Sequence, residues 1–179
     1  MTKRKAEHNK GYSLIEMIIV IAIIALVSSL SLVSVTLIHS AKAKDAAIKF
    51  DNEIATLIAK TKSQTPPAAS PGEYALKVYS TGDKYYIAEG VLKDDGTFIQ
   101  DPDNVVSLSS YVTVTFTGTN SEGEVFADDA IGDGDRAVII TYNKRGICLE
   151  GVGTYSFYKK NGNIVAKVFL RKNGSHESK

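Results

Sequence analysis

"GYSLIEMIIVIAIIALVSSLSLVSVTLI", residues 11–38, decides how the rest of the chain is read. From Leu14 to Ile38 it runs for 25 residues with a single charge, Glu16. As a helix rising 1.5 Å per residue this stretch is about 37 Å long, more than the roughly 30 Å of a bilayer's hydrocarbon core. The spacing therefore predicts a helix able to span a membrane. Lys3, Arg4, Lys5 and Lys10 precede it, and a basic flank favours keeping that end in the cytoplasm. Lys42, Lys44 and Lys49 follow it, which weakens the charge bias as a guide. A secretory signal has an apolar core of roughly 7 to 15 residues and then a small-residue cleavage site; this run is longer and has no such site. Ser28, Ser29, Ser31, Ser34 and Thr36 punctuate its second half, where hydroxyls bond helix carbonyls or neighbouring helices.

Glu16 has two readings. "SLIE" is Ser-x-x-Glu, a capping box in which Ser13 caps the helix and Glu16 reaches back to the Ser13 backbone N–H. Alternatively, a carboxylate in an apolar helix costs about 2.5 to 3.5 kcal/mol at the bilayer centre, less near an end, and a cationic partner offsets that cost.

The basic leader "MTKRKAEHNK", then Gly11, Tyr12, "SLIE" and the long apolar helix closely resemble the class III signal of type IV pilins and pseudopilins. The resemblance implies cutting between Gly11 and Tyr12 by a membrane prepilin peptidase, which also N-methylates the new first residue. Tyr12 stands where phenylalanine is more common. Cleavage frees an α-amino group with an ordinary pKa near 8, and methylation keeps its charge. In that family the glutamate pairs with the N-terminal amine of a neighbouring subunit during assembly, and Glu16 inherits this role by position. Both readings of Glu16 stay open, since a carboxylate has several lone-pair sites.

Beyond the apolar run, Ala47, Phe50, Ile54, Leu57, Ile58 and Thr61 recur at three- and four-residue steps, with Asp45, Lys49, Asn52 and Lys60 off that stripe. This predicts an amphipathic half of the same helix, with one face for a folded domain. "TPPAASPG", residues 65–72, ends it.

From Glu73 the signals are strands and turns. "EYALKVYS" and "KYYIAEGVL" flank "TGD", "LKDDGTFI" holds an Asp-Gly, and "KKNGNI" marks a further hairpin. "YVTVTFTG", "RAVIITYN", "GICLE", "TYSFYKK" and "NIVAKVFLRK" are rich in β-branched and aromatic residues. The predicted fold is α+β, a long N-terminal helix packed on an antiparallel β-sheet head domain. The expected organisation is a leader at 1–11, a transmembrane and filament-core helix at 12–40, its amphipathic half at 41–64, the head domain at 65–172 and a polar tail at 173–179.

The end of the chain, "AVIITYNKRGICLEGVGTYSFYKKNGNIVAKVFLRKNG", loosely resembles the sheet of H-type minor pseudopilins and FimT-like minor pilins. Two features depart from many major pilins. No proline interrupts the helix near Val33, and Cys148, the sole cysteine, cannot form their disulfide loop.

Other chemistry is sparse. A net charge of +1 gives no reason to expect a polyanion as main partner. His8, His39 and His176 lie in the leader, at the end of the apolar run and in the tail, so none is placed to serve a nucleophile, and an enzyme is not expected. Cys148 reads as a buried thiol. "ADDAIGDGDR", residues 127–136, gathers Asp128, Asp129, Asp133 and Asp135 with glycines; calcium takes 6 to 8 oxygen ligands on such a loop, though a solvated acidic loop explains it better, and no other cofactor is expected. Lys144, Arg145, Lys159, Lys160, Lys167, Arg171 and Lys172 give the C-terminal sheet a basic bias. Certain FimT-like pilins use such residues on DNA phosphates, while solvated strand faces account for them more simply. "NGS" at 173–175 matches the glycosylation sequon, a short pattern common by chance.

The resemblance implies a structural subunit of a pilus or pseudopilus. It would be a single-pass membrane precursor with a cytoplasmic N-terminus, later part of an extracytoplasmic or cell-surface filament. Its partners would be the peptidase, other pilin subunits and the membrane assembly platform. A pseudopilin of a type II secretion or DNA-uptake machine is the alternative within that class. A membrane-anchored extracytoplasmic binding domain is the alternative outside it.

Overall fold

A computed structural model describes residues 12–68, 71–119, 123, 125–160 and 162–179, and within these the side chains of all but 30–34. The chain forms two compact units, one ending at Ile38 and one from His39 to Lys179. Helix α1 runs over Leu14–Ser63. In the first unit its apolar side chains are exposed on every side, among them Leu14, Ile18, Ile21 and Ile24. Among the described residues no helix is long and apolar enough to cross a membrane. The membrane-spanning character expected for residues 12–40 thus rests on the sequence alone.

In the second unit α1 buries Ala43, Ala47, Phe50, Ile54, Leu57 and Thr61. The alternation of four- and three-residue steps keeps this stripe on one face. Ala46 is buried beside it, and Ile58 packs at its margin. Phe50 sets its ring against Tyr155 at 4.6 Å and Phe157 at 5.7 Å between centroids. On the open face Lys49 meets Asp45 at 3.0 Å, an i,i+4 ion pair. Ser63 closes the helix by bonding back to the Ala59 carbonyl, three residues before the first proline, Pro66.

The strands are β1 (Glu73–Thr81), β2 (Lys84–Leu92), β3 (Phe98–Ser107), β4 (Val112–Thr119), β5 (Val125–Ala130), β6 (Val138–Tyr142), β7 (Cys148–Glu150), β8 (Gly153–Lys159), β9 (Ile164–Leu170) and β10 (His176–Ser178). They form two antiparallel sheets, ordered β3-β2-β1-β6-β7 and β10-β9-β8-β4-β5. This is the α+β architecture that the sequence predicts, with two sheets where one was expected. The chain leaves the first sheet after β3, returns at β6 and leaves again after β7. A single hydrophobic cluster takes side chains from the helix and both sheets, including Phe50, Leu76, Ile87, Phe116, Ile140, Tyr155 and Val168.

The turns carry the local signals. Gly82, at φ +62°, and Asp83 join β1 to β2 in register, Thr81 facing Lys84. Lys159 and Asn163 close the β8–β9 hairpin through a 3.1 Å backbone bond. Residues 173–179, expected as a polar tail, instead contain β10, whose His176 pairs with Leu170 of β9. Polar "HES" carries no strand composition, so its pairing comes from the turn before it, where Asn173 Oδ1 accepts from the Ser175 N–H and hydroxyl. That turn locks onto another. The Cys148 N–H donates to the Lys172 carbonyl at 3.1 Å, and a Cβ on Gly174 would lie 1.7 Å from the Gly146 carbonyl oxygen.

Glu150 on β7 has a buried carboxylate oxygen with no partner among the described residues. Burial, and then the charge of Glu73, hold its pKa above the usual carboxylate value. The folded state therefore binds this proton more tightly, so stability falls as pH rises from the unfolded carboxylate range near 4.3 through the raised folded value. Glu150→Gln is expected to raise the melting temperature at pH 7 by roughly 1–3 °C, a fraction of 1 kcal/mol for a chain of this size. The gain should vanish near pH 4. Thermal melts at both pH values check this, and an unchanged or lower pH 7 midpoint would refute it.

Candidate functional site

The N-terminal end of α1 holds the sequence's sharpest signal. Gly11 and the leader lie outside the described residues. Tyr12 is 84% exposed. The Ser13 backbone N–H donates to Glu16 Oε2 at 2.8 Å, and the Met17 N–H donates to the Ser13 carbonyl at 3.2 Å. This is the Glu half of the capping box, with Ser13 at the cap and Glu16 three residues in. In the single chain, then, Glu16 binds its own helix end, where a negative charge also suits the helix dipole.

A carboxylate offers about four lone-pair sites, and the cap uses one. Glu16 is exposed and can accept a second donor without giving up the first. Around it stand Leu14, Ile15, Met17, Ile18, Ile19 and Val20, all exposed. Such a run of unpaired apolar surface calls for a covering of lipid or protein. The prokaryotic N-terminal methylation motif matches residues 8–32. The chain carries a type IV prepilin-like signal.

That signal supports a pilin- or pseudopilin-type precursor, and it implies processing by prepilin peptidase and assembly with other pilin subunits. Tyr12, Ser13 and Glu16 of the prepilin-like segment all lie within the matched residues. No curated protein and no solved structure matches the chain.

The acidic residues of 127–136 are not one loop. Asp128 and Asp129 belong to β5, and Asp135 to the short 3-10 turn Gly134–Arg136, which Asp133 caps through the Gly134 N–H at 2.8 Å. The register of β4 on β5 slips between Phe116 and Thr117, which leaves Asp128 as the extra residue of a bulge with φ +68°. The bulge aims its carboxylate at the Thr115 and Tyr158 hydroxyls, each donating at 2.5 Å. These bonds, Thr115's first, hold the Asp128 pKa below the usual value, and the same bond raises that of Tyr158. Among the described residues no group of three or more His, Cys, Asp or Glu is placed to hold a metal ion.

The basic residues fall in separate places. Lys144, Arg145, Arg171 and Lys172 surround the two interlocked turns, with Arg171 paired to Glu177 at 3.0 Å. Lys159 and Lys160 lie at the β8–β9 hairpin, and Lys167 on β9. Cys148 is buried, its thiol pushed up to about 11, chiefly by burial, so it stays protonated at neutral pH. His176 sits 3.6 Å from Asp51 of α1, and His39 stacks on Tyr111 at 4.6 Å.

Two cavities that residue order does not announce lie where the C-terminal end of α1 meets β1. In one, Lys60 pairs with Glu89 of β2 and lies over the Tyr74 ring, 4.8 Å from its centroid. Gln64 and Tyr74 line both cavities. The second reaches Thr61 and Tyr142.

Proposed function

We propose that the chain is a type IV pilin-like structural subunit, cut after Gly11, methylated at Tyr12 and assembled into a pilus or pseudopilus filament. The methylation motif carries the proposal. The exposed apolar surface of α1 supports it, because that surface needs a cover in both stages of such a life. Before cutting, residues 12–40 act as a single-pass anchor with Lys3, Arg4, Lys5 and Lys10 in the cytoplasm. After cutting, the same residues pack on neighbouring copies or paralogues in the filament core, and the head unit forms the surface.

Glu16 has a role in each stage. In the precursor it caps its own helix. Once Tyr12 carries a free, methylated amine, Glu16 accepts the amine of an adjacent subunit and fixes the axial register. The mass of the mature N-terminus tests the reading. A chain beginning at Tyr12 with one added methyl is the expected result, and an uncut chain beginning near Met1 would overturn it.

A further inference from the structure

We infer that head units of two copies of this chain dock through opposite charge, the acidic β3 edge of one against a basic corner beside β7 of the next. Such docking presupposes the filament proposed for the chain, and it names the surface through which neighbouring heads meet.

Strand direction brings both patches to one end of the first sheet. β2 and β6 each pair antiparallel with β1, so they run the same way. The turns that follow them, 93–97 and 143–147, therefore emerge at the same end. In the order β3-β2-β1-β6-β7 the two hairpins lie three strand spacings apart, roughly 14 Å.

The basic corner draws on three elements. Lys144 and Arg145 are exposed in the β6–β7 turn, and Lys172 is exposed in the β9–β10 turn, whose carbonyl takes the Cys148 N–H. Lys62, in the last turn of α1, joins them. Its Nζ lies 2.9 Å from where a Cβ on Gly146 would stand, so the ammonium rests on the turn itself, in space that only a glycine leaves open. Glu73 shares a cavity wall with Lys144, and Glu177 engages Arg171; the corner keeps a positive surplus.

At the opposite edge Asp94 and Asp95 stand in the β2–β3 turn, and Asp101 and Asp103 on β3. Lys93 is beside them, while Lys60 is committed to Glu89. Among the described residues, none of these four aspartates and none of Lys62, Lys144, Arg145 and Lys172 stands in an ion pair. Like charges held together repel, and a counter-charge from outside offsets that cost. Each patch finds its complement on the far side of the same sheet. The β3 and β7 edges face opposite ways, so contact between them is head-to-tail and every added copy leaves one acidic and one basic edge open. Repeating that contact builds an open array, as a filament requires.

The test uses full-length chains with reversed charges, each the sole copy in its cell, and immunoblots of sheared filaments against total chain. Lys144→Glu with Arg145→Glu, and separately Asp94→Lys with Asp103→Lys, should each deplete filaments about fivefold, because like charges then meet across the contact. These side chains are exposed, so thermal midpoints should stay parental. The chain carrying all four changes has its charges exchanged and should recover to within about twofold of the parent. Carbodiimide treatment of parental filaments should give a dimer that joins a peptide containing residues 94–103 to one containing Lys144 or Lys172. Normal incorporation of either reversal, no recovery by the four-change chain, or absence of that junction overturns the docking while leaving the pilin reading in place. Loss with the basic reversal alone would assign that corner to a polyanion, and it too overturns the docking. A parent chain that never forms filaments overturns both.

Discussion

Glu16→Gln is expected to be cut and methylated normally and yet to be depleted from filaments by more than about tenfold. Glutamine serves the N3 position of a capping box as glutamate does, so the bond from the Ser13 N–H, 2.8 Å in the parent, survives the change. Only the charge is lost. If Glu16 meets a neighbour's amine inside a helical bundle, removing it leaves a cation in an apolar setting, and breaking a buried pair on one side costs about 3–5 kcal/mol. Glu16→Ala loses both cap and charge, so its deficit should match that of Glu16→Gln to within the smaller worth of a cap, about 0.5–2 kcal/mol. Immunoblots of sheared filaments against total chain measure incorporation. Normal incorporation of Glu16→Gln together with loss of Glu16→Ala would assign Glu16 to capping alone.

Phe50→Ala should destabilise the head unit by about 3–5 kcal/mol, the usual range for a buried phenylalanine. The ring is fully buried and touches Tyr155 and Phe157 on β8, with Tyr155 in turn 4.7 Å from Phe116. Removing it opens a void within a fixed aromatic stack that cannot easily close, because the Tyr155 hydroxyl is tied to the Gly151 carbonyl at 2.8 Å. Ile48→Ala, on the same helix but 59% exposed, should shift stability by no more than about 0.5 kcal/mol. Urea unfolding of the full chain, followed by near-ultraviolet circular dichroism of the tyrosines, compares the two. Similar small losses for both would show that the stripe is not the packed face.

Much of this was legible in residue order wherever the deciding interaction is local. Helical stripes, Asp-Gly and Asn-Gly turns and the capping box involve residues within a few positions of each other, and the elements they mark are present. The misses have nonlocal causes. β3 contains "QDPDN", which carries no strand composition; the strand tolerates it because β3 is an edge and Pro102 falls where its register on β2 shifts, between Gln100 and Val105, so its missing N–H breaks no ladder. β10 has no strand composition, and β9 recruits it. The division into two sheets depends on β1 pairing with β6 across the chain. Asp128 reaches Thr115 and Tyr158 only because β5 bulges. Thr61 and Tyr142 read as ordinary members of a helix stripe and a strand, and nothing near either one signals that the fold brings both to one cavity.

The open edges of the two sheets bear on crowding. A filament holds head units side by side at very high local concentration, where exposed β-edges would zip neighbouring heads together. Each edge here is blunted in its own way. β3 carries Pro102 between Asp101 and Asp103, β5 is bulged at Asp128, and β7 and β10 are three residues long. Heads built this way can be packed densely and still meet through side chains alone, without one sheet extending into the next.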